Sequence, residues 1–156
     1  MHGFHIASTL NATADAVWSR VTTAEGVNHE LAPWLRMTMP RSFAGLGARG
    51  LPLNTRLFRS WLLLGGVLPI DYDDIVLVGV EAGRGFHERS SMATARVWEH
   101  RRSLRDDGAG RCVLTDDVTF IPRVALATPV LDAVVPRVFT HRHRRLRAFF
   151  GGGPAD

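Results

Sequence analysis

The chain has 156 residues, of which 46% are hydrophobic and 22% charged, with a formal net charge of +4. That is enough for one domain with its own core, and too apolar for intrinsic disorder. No run approaches the ~18 apolar residues of a membrane helix, and Cys112, the only cysteine, excludes an internal disulfide and fits a reducing, cytoplasmic setting.

Phe4 to Leu10 reads as a first strand with Phe4, Ile6, Ser8 and Leu10 on one face. Asn11 or Thr13 offers an N-cap for a helix over Ala14 to Val21. A second short helix is expected within Ala24 to Arg36, where Val27, Leu31, Trp34 and Leu35 approximate helical spacing and Pro33 bends or splits it. Arg41 to Pro52, with three glycines, reads as loop. Leu57 to Leu64 is a continuous apolar run that fits a buried strand or a helix segment, and the strand is preferred. Asp71, Asp73 and Asp74 read as a solvated turn without the spacing of a calcium loop. A β-branched strand over Asp74 to Val80 follows. Three meander strands come next: Phe86 to Met92, Arg96 to Arg105 and Arg111 to Ile121.

The closing helix has the clearest signals. Thr128 suits the N-cap and Pro129 the first helical position. Leu131, Val135, Val138, Arg142, Leu146 and Phe149 fall on one arc, flanked by Phe139 and Phe150. Pro136 removes a donor inside this helix. The run His141 to Arg147 reads as a solvated helix end favoured by the macrodipole, and nucleic-acid binding is not expected because no aromatic platform interleaves with it. Residues 1–150 form one expected domain, with residues 151–156 a frayed tail.

The informative anomaly is charge on apolar faces. Strand alternation puts Phe86, Glu88, Ser90 and Met92 on one face. Trp98, His100 and Leu104 share the next inner face with Arg96 and Arg102, and Leu114, Asp116, Val118 and Phe120 share the third. Turns centred near Thr94 and Gly108 would set Glu88 opposite His100, Ser90 opposite Trp98, His100 opposite Asp116 and Trp98 opposite Val118. Buried charges are costly unless paired. Three readings stay open: a structural network with Arg142 clamping helix to sheet, a polar cluster orienting a ligand, or a general acid/base pair. His2 and His5, or His141 and His143, lack a ligand set, so neither metal nor cofactor is implied.

With these residues in place, the chain resembles the START-related helix-grip superfamily (SRPBCC proteins), and a bacterial branch of it in particular. The resemblance rests on Phe86-x-Glu88, Trp98-x-His100, Asp116-x-Val118-x-Phe120 and Phe139-x-x-Arg142-x-x-x-Leu146, with Ala12-x-x-Asp15-x-Val17-Trp18 as the opening helix. It implies an α+β helix-grip fold: a curved antiparallel sheet wrapped around a long C-terminal helix, with two short helices after strand 1. It also implies a cavity beneath that helix holding a lipid, sterol-like or polyketide-like molecule. Phe86, Met92, Trp98, Val118, Phe120 and Val138 are then expected as wall, with Glu88, Ser90, His100, Asp116 and Arg142 as polar contacts. The alternative within the superfamily is a polyketide cyclase or dehydratase, with His100 as base tuned by Glu88 and Asp116, and Arg142 stabilising an enolate.

Overall fold

The computed structural model describes residues 1–155. Its elements in chain order are β1 (His2–Leu10), α1 (Ala14–Val21), α2 (Ala24–Leu31), β2 (Leu35–Met37), β3 (Arg56–Leu64), β4 (Leu68–Glu81), β5 (Gly85–Met92), β6 (Ala95–Asp106), β7 (Cys112–Pro122), α3 (Thr128–Phe150) and β8 (Gly152–Pro154). The eight strands form one antiparallel sheet in the order β2-β3-β4-β5-β6-β7-β1-β8. The sheet curves, and α3 lies against it as the sequence pattern predicts.

Local chemistry explains most boundaries. The hydroxyl of Thr13 accepts from the Ala16 amide (3.3 Å) and that of Thr23 from the Gly26 amide (3.1 Å), which caps α1 and α2. The second helix is shorter than the expected Ala24 to Arg36. It stops at Leu31 because Pro33 drives Ala32 into extended backbone (ψ 148°), and Leu35 turns into β2. Leu57 to Leu64 is strand, as preferred. Gly65 and Gly66, both at positive φ, turn β3 straight into β4. The fourth strand therefore starts at Leu68, six residues before the expected Asp74, and the three aspartates are strand residues rather than a solvated turn.

The β5–β6 register matches expectation, with Glu88 opposite His100 and Ser90 opposite Trp98. The β6–β7 register does not: His100 opposes Val118, Trp98 opposes Phe120, and Arg102 opposes Asp116. The hairpin closes at Asp106–Cys112, so its centre is Ala109 rather than Gly108. A one-residue shift of the centre slides the strands by two, which preserves the inner faces.

The start of α3 also differs. A 3-10 turn, Ala125–Ala127, precedes the helix, and Ala127, not Thr128, occupies the N-cap. Pro136 lies inside the helix as expected. The buried face is Val135, Phe139, Arg142, His143 and Leu146, while Phe149 is half exposed beneath the Arg20 guanidinium, 3.7 Å from its ring centre. Residues 152–154, expected to fray, pair with Ser8–Leu10 as β8.

The interior has two apolar clusters. One gathers Leu10, Val17, Trp18, Leu104, Leu114 and Leu146; the other gathers Met92, Val118, Phe120, Val135 and Phe139. Along β6, β7 and α3 the residues between the two clusters are polar or ionisable: Arg102 and His100, Asp116, and Arg142 with His143. The core is thus split by a polar layer.

Candidate functional site

Arg102, 2% exposed, is the hub of that layer. Its Nε and Nη2 donate to Asp116 Oδ1 (2.8 Å) and Oδ2 (2.7 Å). Its Nη1 and Nη2 also donate to Glu30 Oε1 (2.8 Å) and Oε2 (3.1 Å). Arg142 Nε donates to Glu30 Oε2 (2.8 Å). Guanidinium geometry suits such paired contacts. The polar layer therefore joins α2 to the sheet and to α3.

Two histidines complete it. His100 Nε2 meets Asp116 Oδ1 at 2.7 Å, and its Nδ1 lies 3.9 Å from Glu88 Oε2. The expected partnership of His100 and Asp116 survives the changed register because the imidazole reaches diagonally. His143 Nε2 meets Asp116 Oδ2 (2.9 Å), and its Nδ1 meets Ser8 Oγ (2.8 Å). Arg147 Nη1 donates to the same Ser8 oxygen (3.0 Å). A neutral imidazole satisfies every atom here: Nε2–H donates to Asp116 and Nδ1 accepts the Ser8 proton. Burial pushes His143 below its ordinary pKa against the pull of Asp116, which agrees with that tautomer.

Burial opposes ionisation of Glu30 and Asp116, yet the surrounding cations win. Arg102 and Arg142 hold Glu30 below its ordinary range, and Arg102 and His100 hold Asp116 well below it. A depressed carboxylate contributes stability above its unfolded pKa and loses it as pH falls through the folded value. The urea midpoint should therefore drop most steeply below about pH 4, with a loss on the order of 3 kcal/mol by pH 2. A midpoint unchanged down to pH 2 would contradict the network.

The polar layer borders two hollows. The inner chamber, ≈150 Å³, lies between the sheet and α3, with apolar wall from Leu31, Leu62, Met92, Trp98, Val138 and Phe139. A smaller lobe, ≈80 Å³, is walled by Val21, Phe43, Phe58, Leu77 and Phe86. Met37, Glu88, His100 and Arg142 line both. A wider groove, ≈640 Å³, shares Leu31, Leu35, Ile70, Val134 and Val138 with the chamber and opens past Trp34, Leu64 and Arg144.

Of the residues singled out in the sequence, Glu88, Met92, Trp98, His100, Val138 and Arg142 reach the inner chamber, and Phe86 reaches the lobe. Ser90 stands behind Glu88, donating to its Oε1 at 2.6 Å. Asp116 lies behind His100, and Val118 and Phe120 pack in the second apolar cluster. These four line neither hollow. The run His141 to Arg147 is not a solvated helix end: Arg142, His143 and Leu146 are buried, while His141 and Arg145 bond the Ala32 and His29 carbonyls. These polar atoms have partners inside the fold, which offset their burial. Sequence reasoning missed Glu30, Asp73 and His143 and gave Arg102 no role. Alternation already aligned Arg102 with His100, and Asp73 with Ile75 and Leu77; helical spacing aligned His143 with Phe139 and Leu146.

The curved sheet closed by a long helix over a part-apolar, part-ionic interior is the helix-grip fold of START-related (SRPBCC) proteins. The chain belongs to the family described as "Domain of unknown function (DUF8410)", which matches residues 8–150. No curated protein sequence matches it. Among solved structures it is similar to a START superfamily protein from Mycobacterium smegmatis (TM-score 0.69, 13% identity, 96% of this chain and 97% of that one). It is also similar to the ZhuI aromatase/cyclase of a Streptomyces species (TM-score 0.68, 16% identity, 95% and 93%). A protein from Chromobacterium violaceum superposes with TM-score 0.73 at 10% identity, over 97% and 99% of the two chains. At these identities the likeness is one of fold. No helix among the described residues is long and apolar enough to cross a membrane.

Proposed function

We propose that residues 1–150 form one ligand-binding domain whose chamber holds a hydrophobic small molecule of lipid, sterol-like or polyketide-like type. The observation that carries this reading is the pair of hollows beneath α3, apolar on most sides and sharing Glu88, His100 and Arg142. Apolar wall supplies affinity, and a few convergent polar groups fix orientation. Arg142 spends its Nε on Glu30, which leaves its terminal nitrogens for a guest. Free, buried Cys112, its thiol pushed up to about 11 by burial, suits a reducing compartment such as a bacterial cytoplasm.

The cyclase alternative draws on the Streptomyces likeness but has less support from the site. Its base, His100, already holds Asp116, and Asp116 is held by Arg102 and His143. With Nε2 held by Asp116, Nδ1 is the only nitrogen left to serve as base, and it faces the Glu88 carboxyl at 3.9 Å.

Native mass spectrometry of the protein from its natural host tests the binding reading. The wild type should carry an apolar adduct. Val138→Trp, which fills the chamber from α3, should lose it while keeping the wild-type circular dichroism. An adduct retained in full by Val138→Trp, or none in the wild type and no uptake of N-phenyl-1-naphthylamine, would defeat the reading.

A further inference from the structure

We propose that Asp73, on the wall of the inner chamber, is a ligand-contacting carboxylic acid that receives the O–H of a neutral, largely apolar alcohol or phenol. This rests on the chamber being a ligand site, and names the guest's polar group.

Asp73 projects from β4 in phase with buried Ile75 and Leu77 and is itself 4% exposed. It lines the chamber beside Glu88. Its Oδ1 is buried and has no hydrogen-bond partner among the described residues. Buried polar atoms nearly always have one, so an orphan on a cavity wall calls for an explanation. The neighbouring polar groups cannot supply it. Ser90, which faces the same carboxyl, gives its proton to Glu88 Oε1 and accepts from the Val76 amide (3.0 Å). Arg142, the guanidinium on this wall, gives its Nε to Glu30 and makes no hydrogen bond to Asp73 Oδ1.

The protonation state follows from the surroundings. Burial, and next the Glu88 carboxylate, push Asp73 well above the ordinary carboxylate range, because two carboxyls side by side in a dry wall do not both ionise. One Asp73 oxygen then carries the proton toward Glu88. The other, Oδ1, is a carbonyl-type acceptor with nothing to accept. A guest hydroxyl supplies the missing donor. An ether has no donor to give. A carboxylate has none either, and would turn to the terminal nitrogens of Arg142 instead of Oδ1, while a cationic head would face that same guanidinium. The groups around Asp73 are Glu88 and Ser90 on β5, Asp71 on its own strand, His100 on β6 and Arg142 on α3.

Calorimetric titration with 1-octanol and with its methyl ether tests the proposal. The wild type should prefer the alcohol by about tenfold at pH 7. Asp73→Asn keeps a carbonyl oxygen and the neutral charge, and should retain the preference. Asp73→Leu should bind both probes alike. The wild-type preference should grow as pH rises through the Asp73 titration, because an ionised carboxylate accepts an O–H more strongly than the neutral acid, and this change with pH should be absent in Asp73→Asn; reading the difference between the two removes the effects of Glu88 and His100. Equal affinity of the wild type for alcohol and ether, or an undiminished preference in Asp73→Leu, overturns the assignment and leaves the chamber as a binding site. Should Asp73→Leu fail to fold, identical pH profiles in wild type and Asp73→Asn would overturn it. Binding of neither probe by the wild type brings down the chamber reading and this one together.

Discussion

Arg102→Met should cost about 3–5 kcal/mol of folding stability, the largest loss expected of any single change in this protein. The mutation removes no cavity-scale volume, since methionine fills much of the same space. What it removes is the charge that balances Glu30, 1% exposed, and Asp116, 0% exposed. Both acids would stay buried with only Arg142 and the two histidines nearby. A domain of this size has roughly 5–15 kcal/mol in total, so the variant sits near its unfolding threshold. In urea, at a slope of ~2 kcal/mol/M, the midpoint should fall by about 2 M. Adding Glu30→Gln and Asp116→Asn to Arg102→Met should recover a substantial part of the loss, because the cost lies in uncompensated charge rather than in missing contacts. A loss under about 1 kcal/mol in Arg102→Met would mean that solvent reaches the pair and that the polar layer is not sealed.

Gly26→Ala is the second. Propensity alone favours the change by about 1 kcal/mol, since Gly26 lies in the first turn of α2. Packing opposes it. A Cβ at Gly26 would run into the backbone carbonyl of Arg20, at the end of α1, and a backbone atom cannot swing aside as a flexible side chain does. The helix would have to move outward, carrying Glu30, four residues on and on the same face, away from Arg102 and Arg142. A net loss of about 3 kcal/mol is expected, which lowers the melting midpoint by about 10 °C. The two arguments differ in sign, so one melting curve separates them. A variant that melts at or above the wild-type temperature would show that the α1–α2 corner has slack.

Much of the fold was legible in the chain because it is written in local patterns. Alternation exposed the inner faces of β5, β6 and β7, and the arc from Val135 to Leu146 marked the face of α3. The anomaly of charged groups on those faces led to Glu88, His100, Asp116 and Arg142, all buried. What escaped was set by distance along the chain. Glu30 meets Arg102 across 72 positions, and nothing around Glu30 announces a partner. The β6–β7 register turned on where a glycine-rich turn centres, Gly108 against Ala109, which composition does not decide. Asp73 was assigned to a solvated turn because Asp71, Asp73 and Asp74 cluster in sequence. In the sheet, alternation turns Asp74 outward to Arg59 and sets Asp71 and Asp73 on the chamber face, where Asp71 accepts from the Ala93 amide and Asp73 is buried.

The buried ionic contacts of α3 all lie after Pro136, and before it, among the described residues, only the surface carboxylate of Asp132 meets an ionic partner, His2, at 2.8 Å. Arg142 and His143 tie its later turns to α2 and β7, and Gly152–Pro154 stitches the end of the helix to β1. The earlier turns carry Val130 and Val134 at the surface beside the groove, and Pro136 interrupts the hydrogen-bond ladder between the two halves. The helix is consequently a door hung on one jamb. A guest could pass by flexing the half before the proline, with no buried charge drawn into water and only the surface His2–Asp132 contact parted on the way.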